Sequence, residues 1–281
     1  MSEQDKSKGK AFTGILERWD EIIKTHYGLD EKVNTLTSSR KVICENPKAG
    51  DEIELFKKLF KRIESNFASG ERPLSPNIAR SNWRWEEQPN INKDNRSKEK
   101  QLEKRIATLP GWTNQMPAAS DYAGPNKNRK NSIDLVRQVE RESEYDFIEL
   151  KLTPGSGYPI YAAFEILSYG FLYLLTRTDK TLQERFQEKP DKPVLKATKI
   201  NLVVLAPKDA YYQSDPKTSI SDLQSFERSI KDALGKFATE KIPTLTMTFA
   251  YRFFTDEVID KIDTFTVFQP HPIGGTLDQI G

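Results

Sequence analysis

The sequence predicts an α/β fold, a central mixed sheet flanked by helices, with a helical region ahead of it. Three observations carry that expectation. From residue 98 onward the segments alternate as helix, two or three strands, helix, strand, helix, strands. Ile200, Leu202, Val203, Val204 and Leu205 form a continuous apolar run, the composition of a strand covered on both faces. Before residue 98, apolar residues recur at helical spacing.

Residues 1–10, MSEQDKSKGK, are polar and lack an apolar signal core, which reads as a disordered tail of a cytoplasmic protein. Phe12, Ile15, Leu16, Trp19, Ile22 and Ile23 then predict a helix over 11–27, with Gly28 as its stop. A second helix is expected over 51–68 from Ile53, Phe56, Phe60, Ile63 and Phe67. Pro73, Pro76 and Pro89, among many Asn and Ser residues, mark 71–97 as an irregular connection that Trp83 and Trp85 pin down in part. The chain therefore divides into a tail (1–10), a helical accessory region (11–97) and a sheet domain (98–281).

Within the sheet domain, KEKQLEKRIATL predicts a short charged helix and 110–131 a Gly/Pro/Asn-rich loop. NSIDLVRQVE and YDFIELKL, separated by RESE, have the marks of an antiparallel hairpin. Residues 157–176 are almost wholly apolar, as a membrane span would be, but Pro159, Glu165 and Ser168 interrupt them and a strand closely precedes. A buried core helix is the expectation. The run ATKINLVVLAP is the next strand, and 219–238 an amphipathic helix with Ser219 and Asp222 at its start. TLTMTFAYRFF and DTFTVFQP are expected to close the chain as a strand pair.

Composition removes several function classes. In 281 residues the formal net charge is only +2, so nucleic-acid contact must come from local basic patches rather than a polycationic surface. A single cysteine, Cys44, allows neither an intramolecular disulfide nor a Cys-based zinc cluster. His26 and His271 are too few for a His-rich metal site. Gly-x-Ser-x-Gly, Gly-x-x-x-x-Gly-Lys-Ser/Thr and His-Glu-x-x-His motifs are absent.

One constellation carries chemistry. Phosphodiester hydrolysis calls for a hard cation, and Mg²⁺ takes one or two carboxylates plus waters. Asp134 near one strand and Glu149 within its neighbour could supply them. Lys151, two residues beyond Glu149, shares its face because strand side chains alternate. Acid-x-Lys occurs also at Asp30/Lys32 and Asp215/Lys217, but there within polar loops. Only Glu149 and Lys151 interrupt an apolar strand, Phe147-Ile148-Glu149-Leu150-Lys151-Leu152. The plainer alternative is a half-exposed strand with a same-face ion pair of little energetic weight.

Ile133-Asp134 with Phe147-Ile148-Glu149-Leu150-Lys151 resembles the two motifs of the PD-(D/E)XK nuclease superfamily. Glu165 and Tyr169, four residues apart on the following helix, look like the Gln-x-x-x-Tyr element of some branches. Glu103 resembles the acidic residue many members carry on the helix before the sheet. The resemblance spans roughly residues 98–210. Ile133 stands where Pro is common, 15 residues separate Asp134 from Glu149, and Glu165 replaces Gln.

The resemblance implies a restriction-endonuclease-like core and a metal-dependent nuclease, a DNA endonuclease of defence or restriction. Asp134 and Glu149 would ligate Mg²⁺ or Mn²⁺, with the Leu150 carbonyl as a third ligand. Lys151 would orient the attacking water and stabilise phosphate charge. Glu103 would be a fourth carboxylate, or else part of a solvated helix face. Glu165 would adjoin the site, or else be an ordinary helix-edge carboxylate. Lys127, Arg129 and Lys130 lie before the Asp134 strand, and Lys98, Lys100, Lys104 and Arg105 flank Glu103. They would form a phosphate track, or else a solubilising surface. The expected partner is nucleic acid, DNA rather than RNA, with no membrane; a homodimer and a subunit of a defence complex both remain open. The rivals are a nucleic-acid-binding member of the fold that does not cut, and a scaffold subunit.

Overall fold

The computed structural model describes residues 12, 14–29, 52–69, 82–86, 97–118, 132–139, 143–152, 159–186, 191–212, 220–255, 257–262, 264, 266, 268 and 270–273. Among these residues six strands form one mixed sheet: β1 (Trp112–Pro117), β2 (Ser132–Gln138), β3 (Glu144–Leu150), β4 (Lys199–Pro207), β5 (Thr246–Phe254) and β6 (His271–Pro272), neighbours in chain order. β1, β2 and β3 run antiparallel, β3, β4 and β5 run parallel, and β6 returns antiparallel to β5. The parallel joins need crossovers. The β3–β4 crossover contains helices α4 (Pro159–Thr178) and α5 (Lys180–Phe186), and the β4–β5 crossover α6 (Lys208–Tyr212) and α7 (Ile220–Lys241). Among the described residues the remaining helices are α1 (Trp19–His26), α2 (Glu52–Ala68), α3 (Lys98–Ile106) and α8 (Glu257–Asp260).

Alternation along the strands sorts side chains into two cores. Tyr145, Phe147, Ile200, Leu202, Val204, Phe249 and Tyr251 join the larger cluster with α1, α2, α4 and α7. Ile148, Leu150, Val203, Leu205 and Leu135 face the smaller one, with Leu102 and Ile106 of α3, Trp112 and Phe268. β4 is therefore covered on both faces, as its composition predicts. So is β3, and this removes the half-exposed reading of the Glu149 strand.

Helix α4 is the pillar of the larger core. Its length and apolar composition would suit a membrane span, yet 89% of its most apolar window is buried inside the protein, as expected of a core helix. It lies so close to β4 that a Cβ on Gly170 would sit 2.6 Å from Leu202 Cδ1. The N-terminal helices cover its outer side. Trp19 meets Phe171 edge-on at 5.6 Å, Phe56 meets it at 5.3 Å, and Phe60 meets Phe237 of α7 at 5.5 Å. Trp83 is fully buried, stacked 6.0 Å from Phe147, and its indole N–H donates to Thr176 Oγ1 at 3.1 Å.

Three expectations change. The helix expected over 11–27 is broken at Arg18, whose φ of 71° separates a 3-10 turn (Gly14–Leu16) from α1. Gly28 (φ 64°) does stop α1. Strand β1 lies inside the stretch read as a loop, because Thr113 and Asn114 are polar yet buried and give no apolar alternation. The described residues of DTFTVFQP are not strand; β5 pairs instead with His271–Pro272. Residues 1–10, Cys44, Ser219 and most of 71–97 lie outside the described residues.

Candidate active site

Strands β2 and β3 part where the site begins. Their register runs from Gln138–Tyr145 to Leu135–Ile148, and one further step would set Asp134 opposite Glu149. That step is not a ladder pair. Instead the Leu150 N–H donates to Asp134 Oδ2 at 3.1 Å, so a side chain takes the acceptor role that backbone would otherwise fill. β3 stays joined to β4 beyond this point, for the Lys151 N–H donates to the Leu205 carbonyl at 2.9 Å.

The other side of β2 is also irregular. The β1–β2 ladder pairs Asn114 with Leu135 and Met116 with Ile133 but skips Gln115 and Asp134. Gln115 has φ 49°, an uncommon conformation for a residue with a Cβ, and its amide donates to Asp134 Oδ1 at 3.1 Å. Asp134 thus sits at a local distortion of both its ladders.

Two ammonium groups organise the surrounding carboxylates. Lys151 Nζ lies 2.5 Å from Glu149 Oε1 and 2.9 Å from Glu165 Oε2 of α4, so Glu149 and Lys151 share the α4 face of β3. Lys100 Nζ, on α3, bonds Glu103 and lies 3.4 Å from Asp134 Oδ1. Glu103 also accepts from Asn114 Nδ2 at 2.8 Å and is only 1% exposed, so it belongs to no solvated helix face. Glu99, one turn earlier, accepts the Leu152 N–H at 3.2 Å. Five carboxylates and two lysines are gathered from four elements.

Burial and like charge dominate the electrostatics. Glu149 is 3% exposed. Desolvation first, then the charges of Asp134 and Glu165, push its carboxyl well above the usual range, and Lys151 offsets only part of this. Burial also raises Glu103, against the pull of Lys100. Burial works to lower both lysines, but the facing carboxylates outweigh it and hold Lys151 and Lys100 above their ordinary values. Burial, then Glu165, pushes the Tyr161 phenol up to about 12. Burial, then Glu149, Glu165 and Asp134, push Tyr169 well up too. Both phenols are therefore neutral donors. With Glu165 they occupy positions i, i+4 and i+8 of α4.

Among the described residues, no three His, Cys, Asp or Glu side chains converge tightly enough to hold a metal. The reason is visible: Lys100 stands between Glu103 and Asp134, and Lys151 between Glu149 and Glu165. The donor chemistry still suits a hard cation. Asp134 and Glu149 supply two oxygen-donor carboxylates, the number Mg²⁺ usually takes from protein, and the like charge they impose on one another is what a cation would relieve.

The structure brings together Asp134, Glu149, Lys151, Glu103 and Glu165, with Tyr169 on the same helix. Lys127, Arg129 and Lys130 lie outside the described residues. Lys100, its side chain about a third exposed, is the ion-pair partner of Glu103 and Asp134. Sequence reasoning assigned no role to Asn114, Gln115 or Tyr161. For Tyr161 the i, i+4, i+8 spacing with Glu165 and Tyr169 was the available signal; Asn114 and Gln115 gave none. No family model, curated protein or solved structure matches the chain.

Proposed function

We propose that the chain is a metal-dependent phosphodiester hydrolase with a restriction-endonuclease-like core, a nuclease of the PD-(D/E)XK type acting on DNA. The observation that carries the reading is the strand fork. There the charge of Asp134 disfavours the ionised form of buried Glu149, and Lys151 follows two residues on, beside Glu149. A buried carboxylate crowded by like charge is costly and is more frequent at functional sites than elsewhere.

Asp134 and Glu149, with the Leu150 carbonyl, would hold Mg²⁺ or Mn²⁺, which when bound supplies Lewis-acid polarisation of the phosphate and a water of lowered pKa. The chain's own groups do the rest. Lys151 stays protonated, so its ammonium can orient the water and stabilise charge developing on the phosphate. Glu165 fixes Lys151 from α4. Gln115, Lys100 and the Leu150 amide orient Asp134, and Glu103 anchors Lys100. Tyr161 and Tyr169 can donate to a substrate oxygen without losing their protons.

A role in restriction or defence, a cytoplasmic setting, and assembly as a homodimer or as part of a defence complex follow only from the resemblance. One observation favours a second reading, a nucleic-acid-binding member that does not cut: each carboxylate pair is already bridged by a lysine. Incubating single- and double-stranded DNA and RNA with Mg²⁺, Mn²⁺ or a chelator separates the two. Metal-dependent cleavage supports the nuclease. Tight binding with no cleavage under any metal would leave the second reading standing.

A further inference from the structure

The far end of α4 carries a second charged group, of opposite sign. An open concavity of about 580 Å³, solvent-facing space included, lies between the last turn of α4, α5 and the 3-10 turn Pro193–Lys196. Arg177, Lys192 and Lys196 line it, and among the described residues of its wall none is acidic. From Glu165 to Arg177 the helix rises about 18 Å, at roughly 1.5 Å per residue, so this wall is separate from the carboxylate cluster.

Neutral acceptors hold Arg177 in place: it donates to Tyr173 Oη at 2.9 Å and to the Ala197 carbonyl at 2.5 Å, with its guanidinium 5.5 Å from the centre of the Tyr173 ring. Lys192 is 2% exposed, donates to the Asn82 carbonyl and lies 5.3 Å from the Phe186 ring centre. Lys196 stands exposed at the rim. The negative end of α4 does not account for three cations, since a helix C-terminus is equivalent to only about half a unit charge. The neutral donors among the described residues of the wall are engaged: the Thr176 hydroxyl donates to the Leu172 carbonyl and the Gln183 amide gives one N–H to the Arg177 carbonyl. Recognition here rests on charge. A planar guanidinium with two ammonium groups suits a multiply charged, tetrahedral oxyanion better than a single carboxylate.

We propose that this concavity binds a phosphate or diphosphate group, either as the free ion or as the end of a small phosphorylated molecule. The proposal does not depend on the nuclease reading.

The test is titration of the protein with inorganic pyrophosphate and with a nucleoside 5′-diphosphate, followed by calorimetry and melting temperature. A chelator is present throughout, and sodium chloride of matched ionic strength serves as control. Saturable binding is expected. It should weaken about tenfold or more in Lys196→Glu, which changes an exposed side chain and should fold normally. Lys192→Met should weaken it too, and Asp134→Ala should not. Tighter binding of the nucleoside 5′-diphosphate than of pyrophosphate would identify the larger source, and the reverse the free ion. No saturable binding, a shift reproduced by chloride, or wild-type affinity in both lysine variants would each overturn the site, whatever the outcome of the cleavage assays.

Discussion

Lys151 is where a structural and a catalytic role can be separated at one residue. It touches Glu149 and Glu165 but no backbone group bridging the strands depends on its side chain. Lys151→Ala should therefore leave Mn²⁺ affinity near that of the wild type while cleavage falls on the order of a hundred-fold or more, the scale of losing one preorganised electrostatic group. Asp134→Ala should lose Mn²⁺ binding and activity together, and some stability, because the Leu150 amide loses its acceptor. Cleavage at the wild-type rate by Lys151→Ala would remove the mechanism. Glu149 gives a complementary prediction in pH. Its carboxyl is raised by folding, so between its unfolded value and the raised one the native state binds more protons than the unfolded chain. Stability without metal should then fall as pH rises through that window, and Glu103 adds in the same direction. The two lysines, also raised, hold their contribution until far more alkaline pH and do not change the sign. Melting curves in chelator from roughly pH 5 to pH 8 should show this decline in the wild type and a flatter one in Glu149→Gln. An equal slope in both would mean that Glu149 titrates as an ordinary surface carboxylate.

At the scale of elements, legibility followed burial type. β3, β4 and β5 could be read because their residues are apolar or alternate. β1 could not, since Thr113 and Asn114 are buried with side-chain partners, Asn114 on Glu103, and a polar strand satisfied this way has the composition of a loop. Glu103 itself was ambiguous for a related reason. Lys/Glu-rich α3 looks solvated from its composition, and only the fold shows that Lys100 turns inward with Glu103 toward Asp134. The fork at Asp134 depends on a skipped ladder pair and a positive φ at Gln115, neither of which leaves a mark in residue type. Helix α4 offers a test of how closely it packs on the sheet. A Cβ on Gly170 meets Leu202 at 2.6 Å and Met247 at 3.1 Å, whereas one on Gly235 of α7 meets only the Met247 carbonyl, at 3.6 Å. Gly170→Leu should cost about 1–3 kcal/mol by overpacking. Gly235→Ala should gain about 0.5–1 kcal/mol by removing a glycine from a helix interior. Urea midpoints at unchanged m-value check both, and a stabilised Gly170→Leu would show that α4 lies farther from β4 than described.

For the molecule as a whole, the question is whether the N-terminal helices are an accessory or part of the structure that holds the site. Their buried residues share one core with the sheet: Trp19, Ile23, Leu55, Phe56, Leu59, Phe60 and Ile63 are all at most 1% exposed. They are packed on Phe171 and Phe237, and the indole of Trp19 reaches the Leu59 carbonyl at 3.2 Å. Phe171 lies on α4, the same helix that presents Glu165 and Tyr169 to the carboxylate cluster, and Phe12 stacks on Tyr161 at 6.0 Å. Removing residues 1–69 would expose the outer side of α4 and α7 to water, an apolar surface of the kind that monomers rarely leave bare. At about 1.5–3 kcal/mol for each large apolar side chain that loses its cover, the loss exceeds the net stability of an ordinary domain. Chains beginning at residue 70 should therefore be insoluble, or should lack a cooperative melting transition and fail to bind Mn²⁺. Phe171→Ala in the full chain, a milder form of the same damage, should cost about 3–5 kcal/mol and still melt cooperatively. If the shortened chain melted as sharply as the whole protein and retained Mn²⁺ affinity, the helices would be an appendage, and the sheet with α4 would suffice to position the site.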